Sequence, residues 1–385
     1  MSGFKYNRTS KLPHVKTTIF TTMGQLAKEY RALNLSQGFP NFDPDPRLVR
    51  LVTEAMQTGY NQYAPMAGVL ELRETISQKL EYLYGHKYHP EHEINISIGA
   101  TQAIFTIITA FIKPADEVIV FKPAYDCYEL AIEVNGGIPV PIQLNNLDFR
   151  INWDEFRSKI GPRTKMVIIN NPHNPSGTIL SESDMLELDR SLQGTDIIVI
   201  SDEVYEHIVF DGNVHKSAAR YPGLADRTFV CASFGKTFHI TGWKIGYCAA
   251  PTELMREYRK VHQFNVFSVD HAVQRALAIY LRDPQHYLQL NQFYQNKRNL
   301  FLSGLLNSRF KAKASQGTYF QLLDYREITN SGDEDFAKQL VRKHGIACIP
   351  ISSFNLNGLD QHLIRFCFAK TDETLEKAVE ILCKL

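Results

Sequence analysis

Short apolar runs punctuate the first two-thirds of the chain, and each is followed by a stretch with helical spacing. "INISIG" (94–99), "EVIVFKP" (117–123), "KMVIIN" (165–170), "DIIVIS" (196–201), "TFVCAS" (228–233) and "KIGYCAA" (244–250) read as strands. Several are apolar on both faces, as strands covered on two sides must be. "TQAIFTIITAFI" (101–112) and "SESDMLELDRSL" (181–192) read as helices, the second opening on a capping serine with an acidic first turn. The alternation predicts an α/β layered fold. After about residue 275 the texture changes. A long helical stretch (283–308) leads to "KASQGTYFQLLDY", "IACIPISSF" and "HLIRFCFA", and an amphipathic helix (372–385) closes the chain. A large domain over 40–275 and a smaller α+β domain from 1–39 with 276–385 are expected.

Composition narrows the function classes. The 385 residues carry a formal net charge of +1, so no basic excess invites nucleic acid. No apolar stretch is long enough for a bilayer, and the N-terminus lacks a signal core. The six cysteines are scattered without a C-x-x-C pair, which favours free thiols and a cytoplasmic protein. "GHKYHPEHE" (85–93) raises a metal hypothesis through His86, His89 and His92, but Pro90 interrupts any helix that would align them. A solvated loop and no metal are expected there. No G-x-S-x-G elbow occurs.

"SFGKTFHITGWKIGY" (233–247) poses the sharper question of what Lys236 does. "FGKT" mimics the end of a phosphate-binding P-loop, but the required first glycine would fall at position 230, which is Val230. No G-x-G-x-x-G occurs either, so a nucleotide site is disfavoured.

A lysine amine next to a carbonyl cofactor fits better, and pyridoxal phosphate is the common case. That cofactor needs an amine for its aldehyde, an acid for its pyridine nitrogen, donors for its ring oxygen and a cradle for its phosphate. Asp202 ends an apolar strand in "IIVISDEVYEHIVF", with Tyr205 three residues on. "INNPHNPSGT" (169–178) runs a strand into two Asn-Pro pairs and offers Asn174. In "ISIGATQAIF" (96–105) the amides of Ala100, Thr101 and Gln102 open a helix and form an anion site. Tyr125, in "FKPAYDCY", suits stacking on a ring. Each has a plain alternative: a strand-end acid, an ordinary loop, a common strand-to-helix turn, a core tyrosine.

Taken in chain order, these pieces resemble the class I pyridoxal-phosphate aminotransferases. The likeness runs from "LSQGFPNF" (35–42) through "NQYAPMAG" (61–68) and "GATQ" to "RFCFA" (365–369). Asn-Pro-x-Asn-Pro-x-Gly, Asp-x-x-Tyr and Ser-x-x-Lys at these separations are its most specific part. Within the family the chain looks most similar to the bacterial methionine aminotransferases, and stands near kynurenine and glutamine transaminases. The resemblance implies the type I fold, a mostly parallel seven-stranded sheet, and pyridoxal 5'-phosphate as cofactor. It implies that Lys236 bonds to the cofactor and then moves the substrate proton, with Asp202, Tyr205 and Asn174 on the ring and Tyr125 stacked. Ser233 would join the phosphate contacts, Arg365 would fork onto the substrate carboxylate, and Gly38 would bring backbone close to it. Tyr63 would reach the phosphate of a second subunit, making a homodimer with shared sites. Two departures stand out: Gly235 where many relatives have serine, and Lys244 where many have an arginine clamp.

The implied reaction is ping-pong transamination between amino acids and 2-oxo acids. "KVHQFNVFSVD" (260–270) contains no arginine for a distal carboxylate. Phe264 and Phe267, with Ile19, Phe20 and Phe39, suggest an apolar pocket for methionine or another large neutral side chain. The rival readings are a same-fold lyase acting on cysteine conjugates, a kynurenine or glutamine transaminase, and a regulator that retains the fold without catalysis.

Overall fold

The computed structural model of the chain describes residues 10–145 and 148–385. Its strands in chain order are β1 (Leu33–Asn34), β2 (Ile94–Ser97), β3 (Glu117–Lys122), β4 (Ile138–Gln143), β5 (Thr164–Asn170) and β6 (Ile198–Asp202). They continue with β7 (Thr228–Ser233), β8 (Gly246–Ala249), β9 (Phe320–Asp324), β10 (Ile346–Ala347), β11 (Ile349–Pro350) and β12 (Leu363–Cys367). Seven form one sheet in the order β2-β8-β7-β6-β5-β3-β4. Only β8 runs against its neighbours, so the sheet is mostly parallel.

Alternation along the strands explains the layering. Val118 and Val120 of β3, Met166 and Ile168 of β5, and Ile198 and Ile200 of β6 enter one core layer. Ile119 and Phe121, Val167 and Ile169, and Val199 enter the other. Both faces are therefore dry, and each such side chain contributes roughly 1.5–3 kcal/mol of burial. Helix α4 (Gly99–Phe111), the fourth after α1 (Ile19–Glu29), α2 (Pro46–Gln57) and α3 (Leu70–Tyr84), covers one face through Ala103, Ile104, Ile107 and Ile108.

Every strand expected in this region forms. β4, "IPVPIQ", was not among them, because its alternating prolines argue against a central strand. It lies at the sheet edge and pairs only with β3, where a missing N–H leaves no ladder partner wanting. The helical stretch expected over 283–308 is broken into Gln285–Leu288 and Leu290–Gly304. Ser181 caps the helix Glu182–Leu192 in a full capping box with Asp184. β9, β11 and β12 form a separate antiparallel sheet, and β1 pairs in parallel with β10. Among the described residues, no helix is long and apolar enough to cross a membrane. All six cysteines are free, and four of them are buried.

Candidate active site

The sheet delivers its chemistry along one edge. Asn170 ends β5 and Asp202 ends β6 in direct register, while Ser233 ends β7 three residues before Lys236. In an open α/β sheet this carboxyl edge is where ligands bind. A cavity of about 400 Å³ opens there.

Lys236 reaches into it from the short helix Phe234–Thr237, and its Nζ donates to the Gly38 carbonyl at 3.0 Å. Burial, reinforced by the charges of Arg365 and Lys244, pulls the amine down to about 8. A useful fraction is thus unprotonated near neutral pH, as a nucleophile and proton carrier requires. Burial acts oppositely on Asp202 and pushes its carboxyl up to about 6, although the Tyr128 phenol and the Val204 amide favour the ionised form. Tyr128 donates to Oδ2 at 2.5 Å and Val204 N–H to Oδ1 at 3.3 Å. A cationic ring nitrogen facing this carboxylate would hold it ionised. Tyr205 is buried beside Tyr319, their ring centres 5.2 Å apart, and burial raises its phenol far above the usual range, so it stays a donor.

At the opposite end lies an anion cradle. α4 begins at Gly99 with no side-chain cap, whereas Thr18, Asp45, Ser181 and Thr371 each cap a helix elsewhere. Its first amides are left without a side-chain acceptor at the cavity, where an anion could take them up. Ala100, Thr101 and Ser233 line the cavity there, with Tyr125 alongside. Lys244 Nζ lies 3.6 Å from where a Cβ on Gly99 would stand. A Cβ on Gly246 would meet the Ala232 carbonyl at 2.4 Å and Gly99 Cα at 3.2 Å, so glycine lets β8 press against this turn. At Gly235 a Cβ would come within 3.1 Å of Thr241 Cα and 3.3 Å of Ser233 Oγ, so the departure from serine leaves that hydroxyl uncrowded.

Arg365 closes the third side from β12. It is buried, with its guanidinium 3.8 Å from the Phe320 ring centre. Nη1 donates to Asn174 Oδ1 at 2.6 Å and Nη2 to the Ser36 carbonyl at 3.2 Å, while Nε has no partner. A buried guanidinium with an unused N–H suits an incoming carboxylate. The bond to Asn174 also fixes which end of that amide is the acceptor, leaving its N–H₂ free for the cavity. Asn170 in turn holds the Asn174 backbone amide, at 2.7 Å.

All but two of the expected site residues border this one cavity. Gln102 does not: its Oε1 accepts from the Ile98 amide at 3.0 Å and its Nε2 donates to Thr106 at 2.6 Å. Tyr63 does not either; it is 80% exposed, with its ring edge-on to Phe267 at 5.1 Å. Of the proposed pocket aromatics only Phe20 lines the cavity, while Phe264 is 89% exposed. The reading missed Tyr128, Asn170, Thr241 and Phe320. Tyr128 was within reach, being one helical turn beyond Tyr125. In the histidine loop, ligand atoms of exposed His89, Glu91 and His92 lie within 4.8 Å of one another, closer than a proline-broken segment suggested. His89 Nδ1, however, already accepts from the Glu91 amide.

Comparison with known proteins agrees with this geometry. The family profile of the aminotransferases of class I and II matches residues 30–382. The methionine aminotransferase of Escherichia coli K12 is 46% identical over 98% of both chains. Human kynurenine–oxoglutarate transaminase 1 is 34% identical over 94% of both. Among solved structures, Escherichia coli YbdL, described as having a methionine aminotransferase function, superposes with a TM-score of 0.97 at 45% identity, over 99% of this chain and all of that one. N-succinyldiaminopimelate aminotransferase of Mycobacterium tuberculosis gives 0.94 at 34%, over 98% of this chain and 99% of that one. The chain belongs to the class I and II aminotransferases and has their type I fold. It is an enzyme that moves an amino group between amino acids and 2-oxo acids, with pyridoxal 5'-phosphate as cofactor. The cavity suits that cofactor on its own chemistry: a depressed lysine, a buried acid, an uncapped helix start and an unsatisfied guanidinium share one space.

Proposed function

We propose that this aminotransferase takes methionine as its preferred amino donor and other large neutral or aromatic amino acids less readily. The similarity to a methionine aminotransferase over nearly the full length carries this reading. The cavity wall supports it, since Phe20 and Phe320 are apolar and the only arginine there, Arg365, is needed for the α-carboxylate.

Pyridoxal phosphate supplies an aldehyde that takes up the amino group and a ring that draws electrons from the substrate α-carbon. In our reading Arg365 binds the substrate carboxylate, and Phe320 holds the guanidinium flat for that task. Lys236, with its amine near 8, accepts the α-proton and returns it on the next atom. With the cofactor bound, Asp202 would keep the ring nitrogen protonated, while Tyr205 and Asn174 would donate to the ring oxygen. The phosphate would be held by the amides of Ala100, Thr101 and Gln102 together with Ser233 and Lys244. Gly38 supplies the carbonyl that parks Lys236.

We further propose a homodimer in which Tyr63 completes the partner's phosphate site. The outward-facing Tyr63, Phe264 and Phe267 are apolar surface of the kind a second copy would cover. The division into 40–275 and 1–39 with 276–385 is supported by the pairing of Leu33 with Ile346. Cytoplasmic residence accords with six unpaired cysteines.

The test is spectroscopic. L-methionine added alone to the loaded protein should abolish the visible cofactor band, and a 2-oxo acid should restore it. A band that ignores methionine but responds to kynurenine or aspartate would overturn the methionine preference. Pyruvate or another keto product with ammonia, formed from a cysteine conjugate without any added oxo acid, would favour the lyase.

A further inference from the structure

Beneath the cofactor cavity lies a second layer of ionisable groups that the chemistry above does not use. The segment after β6 alternates its side chains between two sides. Asp202 and Tyr205 line the cavity, while Glu203 and Glu206 are buried away from it. Glu203 is satisfied by its own stretch of chain: Ser201 Oγ at 2.7 Å, the Ala218 amide at 3.0 Å and His215 Nε2 at 2.8 Å.

Glu206 is different, because its hydrogen-bond donors come from elsewhere in the fold, with its chain neighbour His207 Nε2 3.5 Å from Oε1. Lys79 of α3 donates to Oε1 at 2.6 Å, and Tyr84 at the end of the same helix donates to Oε2. The phenol of Tyr247 on β8 receives a second bond from Lys79 at 3.1 Å and lies 3.4 Å from Oε1. Lys79 and Glu206 are both buried. Burial alone would raise the Glu206 carboxyl, but the Lys79 charge and the donors outweigh it and hold it at about 2. A bare carboxylate there would be costly, so the side chain has one place to be. It is also the immediate neighbour of Tyr205 in a four-residue turn, 204–207.

We infer that the buried Lys79–Glu206 pair, with Tyr84 and Tyr247, is a positioning clamp that fixes the 204–207 turn from behind and so sets where the Tyr205 phenol meets the cofactor ring. The clamp ties that turn to α3 and to β8, the strand that follows Lys244. The inference rests on Tyr205 being a donor to the cofactor's ring oxygen.

The experiment uses the loaded protein and follows the pH midpoint of its visible band, together with the rate of cofactor release. Tyr205→Phe is the calibration: it removes the phenol and should displace the midpoint. Glu206→Gln keeps the shape but strands the Lys79 charge. The deciding variant is Lys79→Met/Glu206→Met, which replaces the pair by apolar side chains of similar length, the kind of exchange that often preserves or raises stability. It should fold, bind cofactor, and move the midpoint in the same direction as Tyr205→Phe by a smaller amount, with release faster by roughly 10-fold. A clamp that served only to hold the core together would leave the midpoint of this folded double variant at the wild-type value, and that result would overturn the inference. If Tyr205→Phe itself leaves the midpoint in place, the role of Tyr205 falls and the clamp falls with it. A displaced midpoint in Tyr205→Phe beside an unmoved one in the double variant removes the clamp alone.

Discussion

The floor of the cavity and an exposed aromatic rim outside it are built by opposite means. On the floor, Asp202 and Arg365 are buried and Lys236 is half-buried, and each polar head is tied to a named partner. On the rim, Tyr63, Phe264 and Phe267 are 80%, 89% and 48% exposed, and the contact between Tyr63 and Phe267 is aromatic rather than polar. Strand register places the floor, because parallel strands end on one edge. The rim has no such frame within the chain. Its geometry acquires meaning only against a second surface, which is the reason for assigning it to the proposed partner.

The largest effect should come from the floor. In the proposed mechanism Lys236→Ala would remove both the amine that bonds the cofactor and the proton carrier, so kcat/KM for transamination should fall about 10⁴-fold or more. A steady-state assay with methionine and a 2-oxo acid measures this, and a loss below tenfold would give the proton transfer to another group. The rim should respond in a different observable. Phe264→Asp puts a charge where the proposed dimer would cover apolar surface. The dimer dissociation constant should then rise on the order of 100-fold, as for a lost hot spot. Sedimentation across a dilution series reads it, with the visible band as a check that the floor is intact. An unchanged constant would take Phe264 out of the interface and break the comparison.

The same contrast governs what could be read from sequence. Asp202 is legible as a polar residue ending an apolar strand, and Asn174 and Lys236 as polar residues in the turns that follow two others. Tyr63 and Phe264 carried no such mark, and only a resemblance pointed to them. β4 stayed hidden because two prolines in six residues resemble a loop, and only its place at the sheet edge reconciles them with a strand. Gln102 is read for its backbone amide, and the fold-back of its side chain onto the Ile98 amide is a choice of local hydrogen bonding that no spacing rule expresses. The Lys79–Glu206 pair is 127 residues apart in the chain and joins two patterns that look like ordinary helix and turn. Long-range polar pairing of this sort leaves no periodic signal.

A smaller effect sharpens the account of the floor through its pH dependence. In the cofactor-free protein the Lys236 amine sits at about 8 against 10.5 in an unfolded chain. Between those values the unfolded state binds more protons, so folding stability rises with pH across that window. Below it the buried charge exacts its full cost. Cofactor-free Lys236→Met should therefore melt a few degrees above cofactor-free wild type at pH 7, with the gap closing as pH approaches 10. A gap that stays constant across the range would mean that the amine is not held in a dry site.

The smallest effect tests the anion end, where Lys244 stands in for an arginine. Its backbone is left-handed, φ 51°, and its amine lies against the uncapped start of α4. A lysine supplies charge as a point, whereas a guanidinium adds a planar fork that fits two phosphate oxygens. The helix amides already provide directed donors, so the fork has little left to contribute. Lys244→Arg should consequently slow cofactor release by only a few-fold, with Lys244→Met accelerating it more than the arginine retards it. Exchange against a competing aldehyde scavenger measures both rates. A large slowing with arginine would mean that the phosphate is under-coordinated in the native protein and that the amides of Ala100 and Thr101 are not the main donors. Equal rates for lysine and methionine would remove residue 244 from the phosphate site and leave the helix start to hold the anion alone.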